Sequence, residues 1–145
     1  MNRKQVSMEE KESVKKKILE VSKVIAIVGL SPDTGKASNI VAKYLVTHGY
    51  RVIPVNPNHK EILGQTSYPS LRDIPEKIDI VDIFMRTESL LPIVEEALTL
   101  DPGAIWLQLG IVNNEAKKLA EEHGIPFFMD QCIKIEHAKF FSNRP

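Results

Sequence analysis

The stretch Lys23-Val24-Ile25-Ala26-Ile27-Val28-Gly29-Leu30-Ser31-Pro32-Asp33-Thr34-Gly35-Lys36 decides how this chain folds. Its apolar, mostly β-branched start has the composition of a strand buried on both faces. The run breaks at Gly29 and passes through Ser31, Pro32 and Gly35 into an amphipathic helical pattern. A strand, a phosphate-sized loop and a helix N-terminus in succession present backbone N–H groups and the positive end of a helix dipole to an anion. Lys36 adds a formal positive charge there. Strand and helix patterns alternate through most of the chain beyond Lys36, so the loop at 29–36 is the expected floor of a ligand crevice.

Upstream, Ser7-Met8-Glu9-Glu10 has the form of a capping box, and a charged helix should follow from about Met8 to Val21. Val14, Ile18 and Val21 supply its apolar stripe. Downstream, a helix from about Ala37 to Thr47 buries Ile40, Val41, Tyr44 and Leu45, and Gly49 suits the left-handed position after its end. Arg51–Val55 is a second strand. Pro54 cannot donate a ladder hydrogen bond, so the strand should be near its end there. Asn56-Pro57-Asn58-His59 reads as a turn, and a short helical turn falls near Leu71–Ile74.

Ile78–Phe84 is a third strand, with at least one of Asp79 and Asp82 at an end or exposed. A helix from about Leu91 to Leu100 follows, with Pro92 in its first turn. Ala104–Leu107 is a fourth strand. Asn113 or Asn114 caps a helix that reaches His123, and Gly124 closes it. Ile125–Met129 is a fifth strand, and Cys132–Phe141 is partly helical. Five short strands alternating with helices imply an α/β fold: one doubly wound, Rossmann-like parallel sheet, expected in the order 3-2-1-4-5. Residues 1–21 would form an extra helix packed on a domain of residues 22–145.

The 145 residues suffice for one domain with a real core. Lysine and arginine number 19, as do aspartate and glutamate, so the formal charge is zero and a non-specific nucleic-acid binder is disfavoured. The one cysteine, Cys132, forms no internal disulfide and suits a reducing cytoplasm. No apolar run approaches the roughly 18 residues of a membrane helix, and the N-terminus has no signal-like apolar segment. The four histidines show no metal-ligand spacing, so no metal site is expected. A cytoplasmic monomer or small homo-oligomer fits these totals.

Ligands of such sheets lie beyond the carboxyl ends of the strands. That selects Gly29-Leu30-Ser31, Val55-Asn56-Pro57, Phe84-Met85-Arg86, Gln108-Leu109-Gly110 and Asp130-Gln131-Cys132. They offer amides, apolar walls, one arginine, one amide side chain and a thiol, which suits binding more than acid–base catalysis. A nicotinamide fingerprint, G-x-G-x-x-G, would need glycines where Ser31 and Thr34 stand, and the ribose-binding acid after the second strand is replaced by Val55-Asn56-Pro57. A Walker loop is also absent, because Gly35-Lys36 is followed by Ala37.

Another pattern fits. Val28-Gly29-Leu30-Ser31 is followed by Lys36-Ala37-Ser38-Asn39, Tyr44-Leu45, Gly49-Tyr50-Arg51-Val52, Pro54-Val55-Asn56-Pro57 and Leu63-Gly64. Asp82–Arg86, Trp106–Gly110 and Asp130–His137 complete it. In this order the motifs resemble the stand-alone CoA-binding proteins, a family related to the CoA-binding domain of the succinyl-CoA synthetase alpha subunit. The resemblance spans about residues 22–140. It implies a Rossmann-like domain holding CoA or acyl-CoA as carrier, sensor or reservoir. Gly29, Leu30 and Ser31 would line the phosphate loop, with Lys36 near phosphate. Val55, Asn56 and Pro57 would contact the nucleotide end. Phe84, Met85 and Arg86 would flank adenine or pantetheine, and Gln108 with Gly110 the pantetheine arm.

The synthetase has a further domain with a phosphorylated histidine, for which these residues leave no room. Thioester synthesis would then need a partner, as in a detached synthetase subunit. A nucleotide-responsive regulator is the third reading. Cys132 is either a buried apolar residue or a thiol exposed to the crevice, where a mixed disulfide with CoA could form. Replacing Gly29 by valine should abolish binding with less effect on folding.

Overall fold

Strands that are apolar at nearly every position need cover on both faces. The computed structural model, which describes residues 8–141, supplies it. Strands β1 (Val24–Val28), β2 (Arg51–Val55), β3 (Ile80–Ile83), β4 (Ala104–Leu107) and β5 (Phe127–Phe128) form one parallel five-stranded sheet. Helices α1 (Met8–Val21), α2 (Ala37–Thr47) and α5 (Ile133–Phe141) cover one face. Helices α3 (Leu90–Thr99) and α4 (Asn114–Glu122) cover the other. The α/β, Rossmann-like class is therefore as the alternation implies. Elements fall within a few residues of their expected bounds, although β3 and β5 are shorter than the apolar runs that contain them. Ser7 of the capping box lies outside the described residues.

Side-chain alternation sorts the core. Ala26, Val28, Val81, Ile83, Ile105 and Leu107 face Leu90, Val94 and Ala97 of α3 and Ala116 and Ala120 of α4. Ile25, Ile27, Ile80, Ala104 and Trp106 face Leu19, Val41, Ala42, Leu45 and Ile133. Trp106 is fully buried, and its indole N–H donates to the Gln131 carbonyl at 2.9 Å. Asn113 caps α4, its side chain accepting from the Ala116 amide. Among the described residues, no helix is long and apolar enough to cross a membrane.

The strand order differs from expectation. It is β2-β1-β3-β4-β5, so the third strand lies beside β1 and not outside β2. The reason is local. Between β2 and β3 the chain makes a small hairpin (Glu61–Ile62 with Gln65–Thr66) and a single 3-10 turn at Leu71–Asp73, with no long helix to carry a crossover outward. Tyr68 then occupies the outer edge of β2: its N–H donates to the Pro54 carbonyl at 3.0 Å and its carbonyl accepts from Asn56 N–H at 2.9 Å. Pro54, without an N–H, faces that outer edge, the position a sheet tolerates. All four residues of β3 are buried, as an interior strand requires.

Two helices are rotated from their expected faces. In α1, Val14 and Val21 are exposed, 46% and 56%, while Lys15 and Leu19 are buried. The Tyr50 hydroxyl donates to the Leu19 carbonyl, and Lys15 bonds Glu136 of α5 at 2.8 Å and Glu12 at 2.9 Å. A lysine is thus inside because two carboxylates meet it there. In α2, Ile40 is 47% exposed, while Ser38 and Asn39 are buried. Both are drawn in by hydrogen bonds to Ser31.

The Lys15–Glu136 pair makes stability depend on pH. Burial pushes the Glu136 carboxyl up, but hydrogen bonds and charge from Lys15 and Lys139 outweigh it and leave the carboxyl below its ordinary value of 4.5. The Lys15 ammonium is raised above 10.5 by Glu136 and Glu12 despite an opposing burial effect. A lowered carboxyl stabilises the fold above its unfolded value and loses that stabilisation as pH falls through the folded value. Glu136→Gln should therefore lower stability by about 1 kcal/mol at neutral pH, between exposed and buried pairs. Urea unfolding of both proteins should show the gap closing in acid below 4.5; a gap constant with pH would refute the charge origin.

Candidate functional site

In this strand order the sheet switches direction between β1 and β3, and a crevice opens where the two strands end. Gly29 follows β1 and Phe84 follows β3. Gly29 extends the ladder to β2 by donating to the Val55 carbonyl at 2.9 Å, and Phe84 N–H donates to the Val28 carbonyl at 2.9 Å. Gly29 has a φ of +85°, and a Cβ built on it would overlap the Phe84 carbonyl. Only glycine lets the two backbones approach this closely.

The loop after Gly29 is bonded to itself. Ser31 N–H donates to Ser38 Oγ at 2.9 Å and Asp33 N–H to Ser31 Oγ at 3.0 Å. Gly35 N–H donates to Asp33 Oδ1 at 2.9 Å, and Lys36 N–H to the Asp33 carbonyl at 3.0 Å. Four amides that the sequence offers to an anion are thus engaged. The first amides of α2, at Ala37 and Ser38, lie ahead of any helical carbonyl and are among the donors left for one. Asn39 Nδ2 closes the loop by donating to the Ser31 carbonyl at 2.9 Å.

Two clefts lie across the strand ends and share the side chains of Phe84 and Met85. The first, about 420 Å³, brings Gly29, Val55, Asn56, Pro57, Phe84 and Met85 together with Asn58, Pro69, Ser70, Ile93 and Glu96. Asn56 is also a structural bolt: its Nδ2 donates to the Leu30 carbonyl and its Oδ1 accepts from Asn58 N–H, both at 2.9 Å. Glu96 Oε2 accepts from Arg72 Nε at 2.7 Å. The second cleft, about 560 Å³ and mostly apolar, brings Phe84, Met85, Arg86, Gln108 and Cys132 together with Ala37, Val41, Leu109, Ile111 and Ile135. Buried Gln108 accepts the Ile133 amide at 3.2 Å and so holds the start of α5. Cys132 is half-buried on the cleft wall.

Four expected residues line neither cleft. Leu30 is wholly buried in the core, Ser31 belongs to the self-bonded loop, Lys36 is exposed just ahead of α2, and Gly110 is exposed in a turn where its N–H donates to Asp130 Oδ1 at 2.7 Å. Sequence reading misses Glu96, Ile111 and Ile135, which come from elements whose placement only the tertiary structure sets. The expectation that at least one of Asp79 and Asp82 sits at a strand end or exposed holds for Asp79. It lies just before β3, its Oδ2 accepting the amides of Lys23 and Val24, while Asp82 is fully buried within the strand. Away from the clefts, His137 Nδ1 lies 2.8 Å from the Tyr44 hydroxyl, and burial together with the nearby His48 lowers its pKa.

Comparison with known proteins agrees with this geometry. A family model described as CoA binding domain matches residues 23–138. The uncharacterised protein YneT of Bacillus subtilis is 45% identical over 123 residues, covering 85% of this chain and 91% of that protein. The ADP-forming acetate–CoA ligase I of Archaeoglobus fulgidus is 30% identical over 131 residues, covering 83% of this chain but only 19% of the ligase. A hypothetical protein from Pyrococcus horikoshii has a solved structure that superposes with a TM-score of 0.86 at 40% identity, covering 89% of this chain and 91% of that one.

Valine at position 29 is expected to act less on folding than on binding, but the Phe84 contact gives any side chain there a cost in the fold itself. Gly29→Ala forces a side chain into a backbone carbonyl at a positive φ, so it should cost about 2 kcal/mol or more of stability. Gly49→Ala, also at positive φ but with nothing near its Cβ, should cost about 1 kcal/mol. Equal losses in parallel denaturation curves would show that the Phe84 contact has no energetic weight.

Proposed function

The chain belongs to the CoA-binding domain family, and on that premise we propose that it binds CoA or an acyl-CoA across the carboxyl ends of its strands, as a carrier, sensor or reservoir that does no chemistry on it. One observation carries this reading: two clefts of different character meet at Phe84 and Met85. CoA has the matching asymmetry, a nucleotide bearing phosphates joined to a long, weakly polar pantetheine arm. The nucleotide end belongs in the first cleft, against Gly29, Val55, Asn56 and Pro57. The arm passes Phe84, Met85 and Arg86 and runs through the second, beside Gln108. The helix start at Ala37 and Ser38, with Lys36 ahead of it, supplies the positive field for phosphate. The ionisable groups lining the clefts are Glu96, held by Arg72, together with Arg86 and Cys132, and they form no acid–base pair.

Native mass spectrometry of gently purified protein should show an adduct of CoA mass. Clean apo protein with no thermal shift on adding CoA would remove the reading. In the same titration Lys36→Ala should weaken binding by about 1 kcal/mol, the scale of a partly exposed charge on phosphate, and the loss should shrink with salt. An unchanged dissociation constant at low salt would take Lys36 out of the site.

A second reading has its own support in the likeness to the ADP-forming acetate–CoA ligase, of which this chain corresponds to about a fifth. In it the chain is the CoA-holding part of an acyl-CoA synthetase and works with a separate nucleotide-binding partner. Thioester formation that requires ATP and a co-purifying protein would favour it over the carrier.

The place of Cys132 on the second cleft adds a redox expectation. With CoA disulfide supplied as oxidant, the Cys132 thiolate attacks one of its sulfurs, a protein–CoA disulfide forms, and one CoA leaves as the thiolate and takes up a proton. Intact mass should rise by one CoA per chain, return with dithiothreitol, and stay unchanged in Cys132→Ser. A wild-type protein that binds CoA without gaining the adduct returns Cys132 to a packing role.

A further inference from the structure

Asp82 is a carboxyl group with no visible reason to be where it is. It sits inside β3, fully buried, level with Ile27 of β1 and Trp106 of β4, on the sheet face it shares with Ile80. Both of its oxygens are buried without a hydrogen-bond partner, and so is Asn39 Oδ1. Among the described residues the remaining such side-chain atom is Gln131 Oε1, so these two side chains hold three of the four. Asn39 lies fully buried in the first turn of α2, the helix that covers the same face of the sheet.

All three orphaned atoms are acceptors, and acceptors cannot pair with one another until one of them carries a proton. The bond from Asn39 Nδ2 to the Ser31 carbonyl fixes which end of the amide is the nitrogen, and the Oδ1 end carries no proton. Asp82 can carry one. Burial holds its acid well above the ordinary carboxyl range, and no neighbouring charge contributes. The titratable groups over this face are engaged elsewhere or exposed. Lys15 is bonded to Glu12 and Glu136, Tyr44 to His137 and Tyr50 to the Leu19 carbonyl, while Lys36, Lys43 and His48 face solvent. A neutral carboxyl gains an O–H donor, and Asn39 Oδ1, on the helix that packs over this face, is a buried acceptor that lacks one.

We propose that Asp82 is a carboxylic acid in the native protein and donates its proton to Asn39 Oδ1, fixing the Asn39 amide against the Ser31 carbonyl and thereby the turn from Gly29 to Ser31. Asp82 lines neither cleft and is a positioning residue. The consequence for ligand affinity rests on the CoA reading above; the bond itself does not.

The free protein decides the bond. Followed by NMR in ¹³C-labelled protein between about pH 5 and 8, the Asp82 carboxyl carbon should hold its protonated shift while exposed carboxylates stay ionised. The Asn39 side-chain amide signals should move in Asp82→Leu, which removes the donor. They should stay near their wild-type positions in Asp82→Asn, whose N–H₂ replaces the donor without needing a proton. Hydrogen exchange at the Ser31 amide should quicken in Asp82→Leu only. CoA affinity should fall about tenfold in Asp82→Leu, the worth of one buried hydrogen bond.

An Asp82 carboxyl that titrates with the surface carboxylates overturns the proposal, as does an Asn39 amide indifferent to Asp82→Leu. The wild-type titration and the Asp82→Asn spectrum need no destabilised variant, so a poorly folded Asp82→Leu leaves the decision intact. If Asp82 stays protonated and bonded while the wild-type protein ignores CoA, the bond stands and the CoA reading falls.

Discussion

Two backbones press together at the mouth of the ligand crevice, where Gly29 meets the Phe84 carbonyl with no room for a side chain between them. The rest of the site depends on that contact. It requires β1 and β3 to be neighbours, so it requires the strand order observed. It fixes the switch in sheet direction between these two strands, and so the place where a crevice must open. It also brings Phe84 and Met85 to the centre of that crevice, where they stand between a smaller cleft and a larger, mostly apolar one. A side chain at position 29 would have to push the strand ends apart.

The site is held together by polar side chains that bond the backbone of neighbouring loops and helix starts. Asn56 spans from the end of β2 to the Leu30 carbonyl, Ser38 and Asn39 reach from α2 to both sides of Ser31, and Gln108 takes the first amide of α5. Each joins two different strand ends or helix starts, so the loops are held by side chains and not only by their own turns. A polar group spent on holding a loop cannot also be offered to a ligand, and the self-bonded turn from Ser31 to Lys36 shows that trade directly.

Most of the fold is legible in the sequence because local signals agree with it. The apolar runs, Gly49 and Gly124 at the helix ends, and the Asn113 cap all act within a few residues. The misreadings come where a distant partner decides. Val14 and Val21 look like the buried stripe of α1 until Glu136, more than a hundred residues later, draws Lys15 inward. Ile40 has the hydrophobicity of a core residue but yields the inward positions to Ser38 and Asn39, which bond the loop. Pro54 holds a clue to the strand order, since a residue without an N–H belongs on an outer edge. In the sequence alone it reads equally well as the end of a strand. Of the expected site residues, Gly29, Val55, Asn56, Pro57, Phe84, Met85, Arg86, Gln108 and Cys132 fall on the clefts, while Leu30, Ser31, Lys36 and Gly110, each turned into the core, a bonded loop or solvent, do not.

The joining of α1 to α5 has a meaning for the order in which a ribosome delivers the chain. Helix α1 leaves the ribosome well before α5, on which it docks through Lys15 and Glu136, and one sheet face stays partly bare until both are available. The wall of the second cleft formed by Cys132 and Ile135 is also among the last pieces made. An unfinished chain can assemble β1, β2 and β3 but not the full cover over Trp106, so it carries an exposed apolar surface through much of synthesis. The many charges of α1 give that early helix a surface that water solvates well.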